Sequence, residues 1–139
     1  MVYVDASALV KLIIAEAESS ELAAWMTDRV LVSSAIAGVE VRRAVGLARS
    51  AEPALASQVA ARSLLANTEE VLGHVTLLTI EDVVLERAAV VPPPTLRSVD
   101  ALHLATALSL RSPDGILTYD RRLAEAARAA GLTVFSPGA

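Results

Sequence analysis

The sequence predicts a three-layer α/β/α domain built on a central, mainly parallel sheet of four to five strands. Short apolar runs alternate with longer segments of helical periodicity along the chain, which is typical of parallel strands joined by right-handed helical crossovers. The 139 residues are enough for one such domain, spanning 1–139, with a core that needs no disulfide. We find no internal repeat and no linker.

The opening strand, Val2–Val4, is apolar throughout, and the apolar stretch at 6–15 is predicted to be a helix. Because both are apolar on all sides, the strand is expected to be buried on both faces of the sheet. Further strands are expected at 30–33, 74–80, 116–119 and 133–135. Further helices are expected at 21–28, 35–51, 54–73, 81–91, 99–110 and 121–130, with N-caps at Ser34, Ser98 and Asp120.

Composition excludes several classes of protein. The chain has no cysteine, which excludes disulfides, thiolate catalysis and zinc sites built on sulfur. Its net charge of −4 argues against a general polyanion binder. No apolar run reaches the roughly 18–20 residues of a membrane helix, and the chain opens directly into a strand without a signal-like basic region, so we expect a cytoplasmic protein. The hydrophobic content of 54% leaves two interpretations open, a large core or an apolar face covered by a partner.

Four of the sixteen acidic residues lie in apolar surroundings, whereas most of the others lie on polar helix faces or in turns. Asp5 and Asp120 directly follow predicted strands, and Glu40 and Asp100 fall in the early turns of predicted helices. Carboxyl ends of parallel strands and the starts of the helices that follow them meet at one edge of a sheet. We therefore expect these four carboxylates to lie at the same edge.

Three of these acids also have a structural interpretation. Asp5 and Asp120 are suited to cap the helices that follow them, and Asp100 suits the dipole at the start of its helix. Glu40 lacks such a role, because it lies beyond the cap and interrupts an apolar stretch. Among its neighbours in sequence, only Arg42 and Arg43 could pair with it.

Carboxylates crowded at one sheet edge repel one another, and burial adds to the cost of ionising them. A divalent cation would remove that repulsion, and a ligand set made only of oxygens favours Mg²⁺, with Mn²⁺ as a substitute, over zinc. Such a site is suited to hydrolysis of phosphate esters by metal-activated water. We expect Asp5, Glu40, Asp100 and Asp120 to be both the metal ligands and the catalytic residues.

The order of the motifs resembles that of the PIN-domain nucleases, and particularly the VapC-type toxins of bacterial type II toxin–antitoxin (VapBC) systems. The motifs are Val-Asp-Ala-Ser-Ala-Leu-Val-Lys at the start, the helical Glu40, Ser-Val-Asp-Ala-Leu-His-Leu-Ala-Thr-Ala around Asp100, and Leu-Thr-Tyr-Asp-Arg-Arg-Leu around Asp120. This resemblance covers essentially the whole chain. It implies a PIN-like fold and a Mg²⁺-dependent endoribonuclease that cleaves single-stranded or looped RNA. It also implies a cognate VapB-type antitoxin that holds the enzyme inactive, and a homodimer or larger toxin–antitoxin assembly.

The resemblance further implies that the hydroxyls of Ser7 and Thr118 orient the carboxylates beside them. His103 lies three residues after Asp100 and so on the same face of the helix. It could hydrogen-bond a carboxylate or ligate metal, and we favour a structural or carboxylate-supporting role. Basic side chains close to the acids in sequence are candidates for contacts with RNA phosphates. These are Lys11, Arg42, Arg43, Arg97, Arg121 and Arg122.

Two alternatives remain open at this point. A PIN-like module could hold RNA or a protein without cleaving it, and binding of a labelled RNA without cleavage on metal titration would favour that interpretation. The same acids could also serve another metal-dependent phosphoesterase, such as a phosphatase or a DNA nuclease, which a panel of substrates would separate.

Overall fold

A computed structural model describes all residues from Met1 to Ala139, and its centre is a five-stranded sheet. The strands are β1 (Val2–Val4), β2 (Leu31–Ser34), β3 (Thr76–Leu78), β4 (Gly115–Leu117) and β5 (Val134–Phe135). Their order across the sheet is β3-β2-β1-β4-β5, and every neighbouring pair is parallel. The predicted α/β fold with a central parallel sheet is therefore confirmed.

Seven α-helices connect the strands. They are α1 (Ala6–Ile13), α2 (Ser19–Met26), α3 (Ile36–Ala51), α4 (Gln58–Gly73), α5 (Asp82–Val90), α6 (Ser98–Ser109) and α7 (Arg121–Ala129), with one 3-10 turn at Pro53–Leu55. None of these helices combines the length and the apolar character that a membrane span requires.

The alternation of side chains along β1 divides the core into two layers. Val2 and Val4 point into the larger apolar cluster, whereas Tyr3 between them points into the smaller one, as the pleat of a strand requires. The larger cluster draws buried residues from α1, α2, α3 and α4, represented by Leu9, Leu22, Val41 and Leu64. The smaller cluster draws them from α6 and α7, represented by Leu104 and Leu123. The strand is thus covered by helices on both faces.

Strand register places Asp5 beside Thr118, two residues before Asp120. Val4 is paired with Leu117 across β1 and β4, so Asp5 and Thr118 are the next residues past the ends of these strands. The Asp5 N–H donates to the Leu117 carbonyl at 3.1 Å, which extends the pairing by one step. This backbone hydrogen bond therefore holds Asp5 in place at the carboxyl edge of the sheet.

Two predicted helix caps are wrong. The residue before α6 is Arg97, and Ser98 is already the first helical residue, so no side chain caps this helix. The residue before α3 is Ala35 rather than Ser34, and the Ser34 hydroxyl only reaches the N–H of Ile36 at 3.4 Å. In each case the N-cap position lies one residue from the serine, at Arg97 for α6 and at Ala35 for α3.

Two elements are also shorter in the structure than the sequence predicts. The helix expected at 54–73 is divided into the 3-10 turn Pro53–Leu55 and α4, with the Ser57 hydroxyl accepting from the Ala60 N–H at 3.1 Å as the N-cap of α4. The strand expected at 74–80 is shortened to β3, because His74 still belongs to the C-terminal cap of α4.

Candidate active site

Asp5 is buried at the junction of β1 and α1 and accepts three hydrogen bonds. Ser7 Oγ donates to its Oδ1 at 2.6 Å, Thr118 Oγ1 donates to its Oδ2 at 2.9 Å, and the Ala8 N–H donates to Oδ1 at 3.3 Å, which caps α1. Burial raises the pKa of Asp5 above its usual value, although these hydrogen bonds act in the opposite direction. The protein therefore holds one carboxyl group rigidly where its charge is costly.

The same two hydroxyls connect Asp5 to the turn after β4. Ser7 Oγ accepts from the Tyr119 N–H at 2.9 Å, and Thr118 Oγ1 accepts from the Asp120 N–H at 3.0 Å. Each hydroxyl thus donates to Asp5 and accepts from the backbone next to Asp120. These contacts tie the first and last acidic residues of the sequence into one hydrogen-bonded unit.

Asp100 and Asp120 share one cation. Arg97 Nε lies 2.8 Å from Asp100 Oδ2, and Arg97 Nη2 lies 3.0 Å from Asp120 Oδ2. Asp120 Oδ1 also accepts from the Leu123 N–H at 2.9 Å, so Asp120 caps α7 as predicted. The Arg97 side chain is 61% exposed whereas that of Asp100 is 10% exposed, so the cation reaches the acids from the solvent side.

Glu40 lies in the second turn of α3, and its partner is His103 on α6. His103 Nε2 lies 2.6 Å from Glu40 Oε2, across 63 positions of sequence. Neither Arg42 nor Arg43, the sequence neighbours that could pair with Glu40, makes an ion pair with it. Arg42 instead binds Glu69 at 2.9 Å, because α4 packs beside α3 and brings a carboxylate within its reach.

The structure therefore brings all four acids to the carboxyl edge of the sheet, but they are held by three separate sets of contacts, with Asp5 bound by Ser7, Thr118 and the Ala8 N–H. Arg97 neutralises part of the charge on Asp100 and Asp120, and His103 holds Glu40. As the side chains lie, no three His, Asp or Glu side chains form a group that could enclose a metal ion. The available donors are carboxylate oxygens with hydroxyls beside them, which are the ligands of a hard cation rather than of zinc.

Comparison with known proteins identifies the family. Residues 2–129 match the PIN domain family. Ribonuclease VapC35 of Mycobacterium tuberculosis is 40% identical over 144 residues, an alignment that covers 99% of this chain and 98% of the relative. The chain belongs to the PIN-domain family, and within it to the VapC proteins.

Other comparisons agree with this VapC assignment. Ribonuclease VapC47 of Mycobacterium tuberculosis is 37% identical over 145 residues, covering 100% of this chain and 98% of the relative. The crystal structure of Mycobacterium tuberculosis VapC20, described as a toxin that cleaves the sarcin-ricin loop, matches with a TM-score of 0.68. That match covers 99% of this chain and 100% of the VapC20 chain at 17% sequence identity, so it supports the fold alone.

The basic residues of this VapC chain fall into two groups. Members of the first group are paired with acids. Lys11 pairs with Glu16 and Glu18 and lies above the Tyr119 ring. Arg42 pairs with Glu69, and Arg97 pairs with Asp100. A second set of arginines near the acids is exposed and makes no ion pair. This second set consists of Arg43, Arg121 and Arg122.

Sequence reasoning missed one polar member of the site. Tyr3 lies in an apolar buried strand, yet its hydroxyl lies 2.7 Å from His103 Nδ1 and accepts from the Ser34 N–H at 3.2 Å. The available signal was the single hydroxyl in the run Val-Tyr-Val, since a buried tyrosine hydroxyl requires a partner. Sequence alone could not name that partner, which lies 100 positions away.

Proposed function

We propose that this chain is a Mg²⁺-dependent endoribonuclease, the toxin of a type II toxin–antitoxin pair, which hydrolyses RNA phosphodiester bonds by metal-activated water. The observation that carries the proposal is that Asp5, Glu40, Asp100 and Asp120 all lie at the carboxyl edge of the sheet, linked through Thr118, Arg97 and His103. The names of the relatives support RNA as the substrate, because VapC35 and VapC47 are both ribonucleases. Cytoplasmic location is part of the same proposal.

The donor set suits magnesium even though no closed cage is present. Mg²⁺ retains several waters and is usually bound through one or two carboxylates together with substrate phosphates. Asp5 and Asp100 are the carboxylates that we assign as direct ligands, with Glu40 beside them and Asp120 acting through water. Mn²⁺ could substitute, because it accepts the same oxygen ligands. When bound, the ion would supply a water of lowered pKa and would neutralise charge on the phosphate.

The protein side chains prepare this site in two ways. Ser7 and Thr118 fix both oxygens of Asp5, so the most deeply buried carboxylate needs no rearrangement. Arg97 competes with a cation for Oδ2 of Asp100 and Oδ2 of Asp120. Its own side chain is 61% exposed, so it can turn into solvent when an ion binds. The freed guanidinium is then suited to bind an RNA phosphate through two nitrogens.

The partners that we propose are an RNA substrate, a VapB-type antitoxin and a second copy of the chain. A set of large apolar side chains lies exposed on the helices, which supports faces covered by a protein partner. This set includes Val39 (54% exposed), Leu47 (71%), Val59 (80%), Leu65 (61%), Val83 (62%) and Val90 (79%).

Substitution of the firmest ligands tests the proposal. Asp5→Asn and Asp100→Asn should each reduce Mg²⁺-dependent cleavage of a labelled RNA by more than about 100-fold, which exceeds the usual effect of a residue outside the ligand shell. Glu86→Gln, which removes an exposed acid on α5, is the matched control and should cleave normally. Far-ultraviolet circular dichroism should be unchanged in all three variants.

Three outcomes would contradict the proposal. Cleavage that survives both substitutions would place the site elsewhere in the chain. Binding of the RNA without cleavage, in the presence of Mg²⁺ or Mn²⁺, would indicate a non-cleaving module. Cleavage of DNA of the same sequence, or of a small phosphate ester, in preference to RNA would indicate another metal-dependent phosphoesterase.

A further inference from the structure

We propose that His103 and Tyr3 are positioning residues, which hold the Glu40 carboxylate in place through a buried chain of hydrogen bonds that begins at the backbone of β2. The inference rests on the proposed function only in treating Glu40 as part of the metal site. Neither residue touches the substrate or the ion in this scheme, since both act through Glu40.

Glu40 and Asp100 are each held by one side chain, but the donor to Glu40 is buried in the core, whereas Arg97 reaches Asp100 from the solvent side. Asp5 has three donors, Asp120 has a backbone N–H and Arg97, and Asp100 has Arg97, whereas Glu40 has His103 alone. Its side chain is 30% exposed and, as a glutamate, has the larger rotamer entropy to lose when it is ordered. A single donor therefore decides where this carboxylate points.

The donor, His103, is itself held in place by Tyr3 on the side of its ring away from Glu40. The His103 side chain is only 2% exposed, and its ring meets the edge of the Tyr3 ring with centroids 5.9 Å apart and planes at 69°. The Tyr3 hydroxyl lies 2.7 Å from Nδ1 and accepts from the Ser34 N–H. The chain of contacts thus runs from β2 through β1 to α6 and on to α3.

The contact with Glu40 assigns the imidazole tautomer. A carboxylate only accepts hydrogen bonds, so the neutral ring that meets Glu40 Oε2 through Nε2 carries its proton on Nε2. Nδ1 is then an acceptor, and the Tyr3 hydroxyl 2.7 Å away is the donor that faces it.

Burial of these groups has an energetic cost that a purely apolar core would avoid. A phenol hydroxyl and an imidazole placed among Leu104, Ile116 and Leu123 must be fully hydrogen-bonded to be tolerated, and no buried side-chain nitrogen or oxygen in this structure lacks a partner. This hydrogen-bond network leaves the core only at Glu40. The network therefore connects the rigid sheet to a carboxylate of the site rather than closing on itself.

A matched pair of substitutions tests the role of Nε2. His103→Gln places an amide nitrogen near the position of Nε2, whereas His103→Asn places one near Nδ1 and leaves Glu40 without a donor. We expect His103→Asn to weaken binding of Mn²⁺ to the RNA-free protein by about 10–100-fold, the range for partners that orient metal ligands, and to lower kcat more than it raises KM. His103→Gln should restore most of both. Equal losses in the two variants, or no loss in His103→Asn, would overturn the proposal.

A double-mutant cycle separates positioning from general damage to the fold. If His103 acts through Glu40, then His103→Asn should cause no further loss of Mn²⁺ affinity in a Glu40→Gln background, because the effects of coupled residues do not add. Additive losses would show that His103 supports the fold rather than Glu40, and would overturn the proposal. The Asp5→Asn variant separates this inference from the proposed function. If Asp5→Asn abolishes cleavage but no His103 variant changes Mn²⁺ binding, the proposed function stands and only the role of His103 is contradicted.

The tautomer can be observed without any substitution at His103. A two-bond ¹H–¹⁵N correlation spectrum of the metal-free protein should show a protonated Nε2 and an unprotonated Nδ1 for His103. In Tyr3→Phe, Nδ1 loses the phenol donor, so its ¹⁵N resonance should shift while Nε2 stays protonated against Glu40. An Nδ1–H tautomer in the unsubstituted protein, or an unchanged Nδ1 resonance in Tyr3→Phe, would contradict the hydrogen-bond chain.

Discussion

At the scale of single residues, Asp5 combines two roles that normally conflict. It caps α1 as many aspartates do, yet it is buried, and burial raises the pKa of its carboxyl. In a folded protein whose carboxyl pKa is raised, the folded state holds the proton more tightly than the unfolded state. The free energy of unfolding then falls as the pH rises from the carboxyl pKa of the unfolded state, near 3.9, through the higher pKa of the folded state.

Removal of that charge should therefore stabilise the metal-free protein. We expect Asp5→Asn in chelator-treated buffer to have an equal or higher free energy of unfolding at neutral pH, by up to about 1 kcal/mol, which is the scale of one hydrogen bond. The difference from the unsubstituted protein should shrink as the pH is lowered towards the unfolded pKa. Urea unfolding at both pH values measures it, and a clear loss of stability at neutral pH would mean that the three accepted hydrogen bonds outweigh burial.

The residues that carry charge could be found from the sequence, but the contacts between them could not. Asp5, Glu40, Asp100 and Asp120 stood out because they interrupt apolar runs or follow strands, which are local signals. The partners that join one element to another are not local. Thr118 reaches Asp5 across 113 positions, and His103 reaches Glu40 across 63. Local partners such as Ser7 for Asp5 and Arg97 for Asp100 are within the reach of sequence spacing.

At the scale of elements, β4 is fixed by a glycine that no other residue can replace. Gly115 has φ +156, and a Cβ at this position would lie 2.3 Å from the backbone oxygen of Thr133. The contact is with backbone in the segment that leads into β5, so it cannot be relieved by turning a side chain. The strand that delivers Thr118 and Asp120 to the site depends on this close approach.

A pair of alanine substitutions tests that dependence. Gly115→Ala should lower the free energy of unfolding by about 1–3 kcal/mol, as overpacking does, and should reduce cleavage because β4 must shift. Gly46→Ala is the matched control, since nothing lies within 4 Å of a Cβ there. It should stabilise α3 by about 0.5–1 kcal/mol, because glycine is unfavourable inside a helix. Thermal unfolding of both variants measures the contrast, and equal effects would contradict the steric argument.

The elements themselves were predictable where periodicity is long or the apolar run is unbroken. The opening strand Val2–Val4 and the existence of all seven α-helices agree with the sequence pattern. The errors are at ends. Ser34 and Ser98 have the right chemistry for caps, but the N-cap positions of α3 and α6 are Ala35 and Arg97, each one residue from the serine. The edge strand β3 is short, and its residues are largely exposed, so no buried pattern marks where it begins.

At the scale of the whole molecule, this acidic chain has few unpaired basic side chains with which to attract RNA. The net charge is −4, and the acids gathered at the sheet edge add to the local repulsion of phosphate. Lys11 and Arg42 are engaged with glutamates. The arginines that remain free beside the site are Arg43, Arg121 and Arg122, and they must supply most of the electrostatic attraction.

These free arginines should be visible in the salt dependence of RNA binding. Each phosphate contact to a single strand adds about 0.7 to the slope of log affinity against log salt. Arg121→Ala and Arg122→Ala, measured with the cleavage-deficient Asp100→Asn protein in Mg²⁺, should each weaken binding and flatten that slope by about this amount.

Two further variants serve as controls for this prediction. Arg111→Ala removes an exposed arginine just beyond the C-terminal end of α6. Because α6 begins at the carboxyl edge, Arg111 lies at the opposite edge, so neither the affinity nor the slope should change. Lys11→Ala should leave the slope unchanged, because its charge is already neutralised by Glu16 and Glu18. If all four variants flattened the slope alike, RNA would be held by diffuse charge, and the paired and free cations would not differ in function.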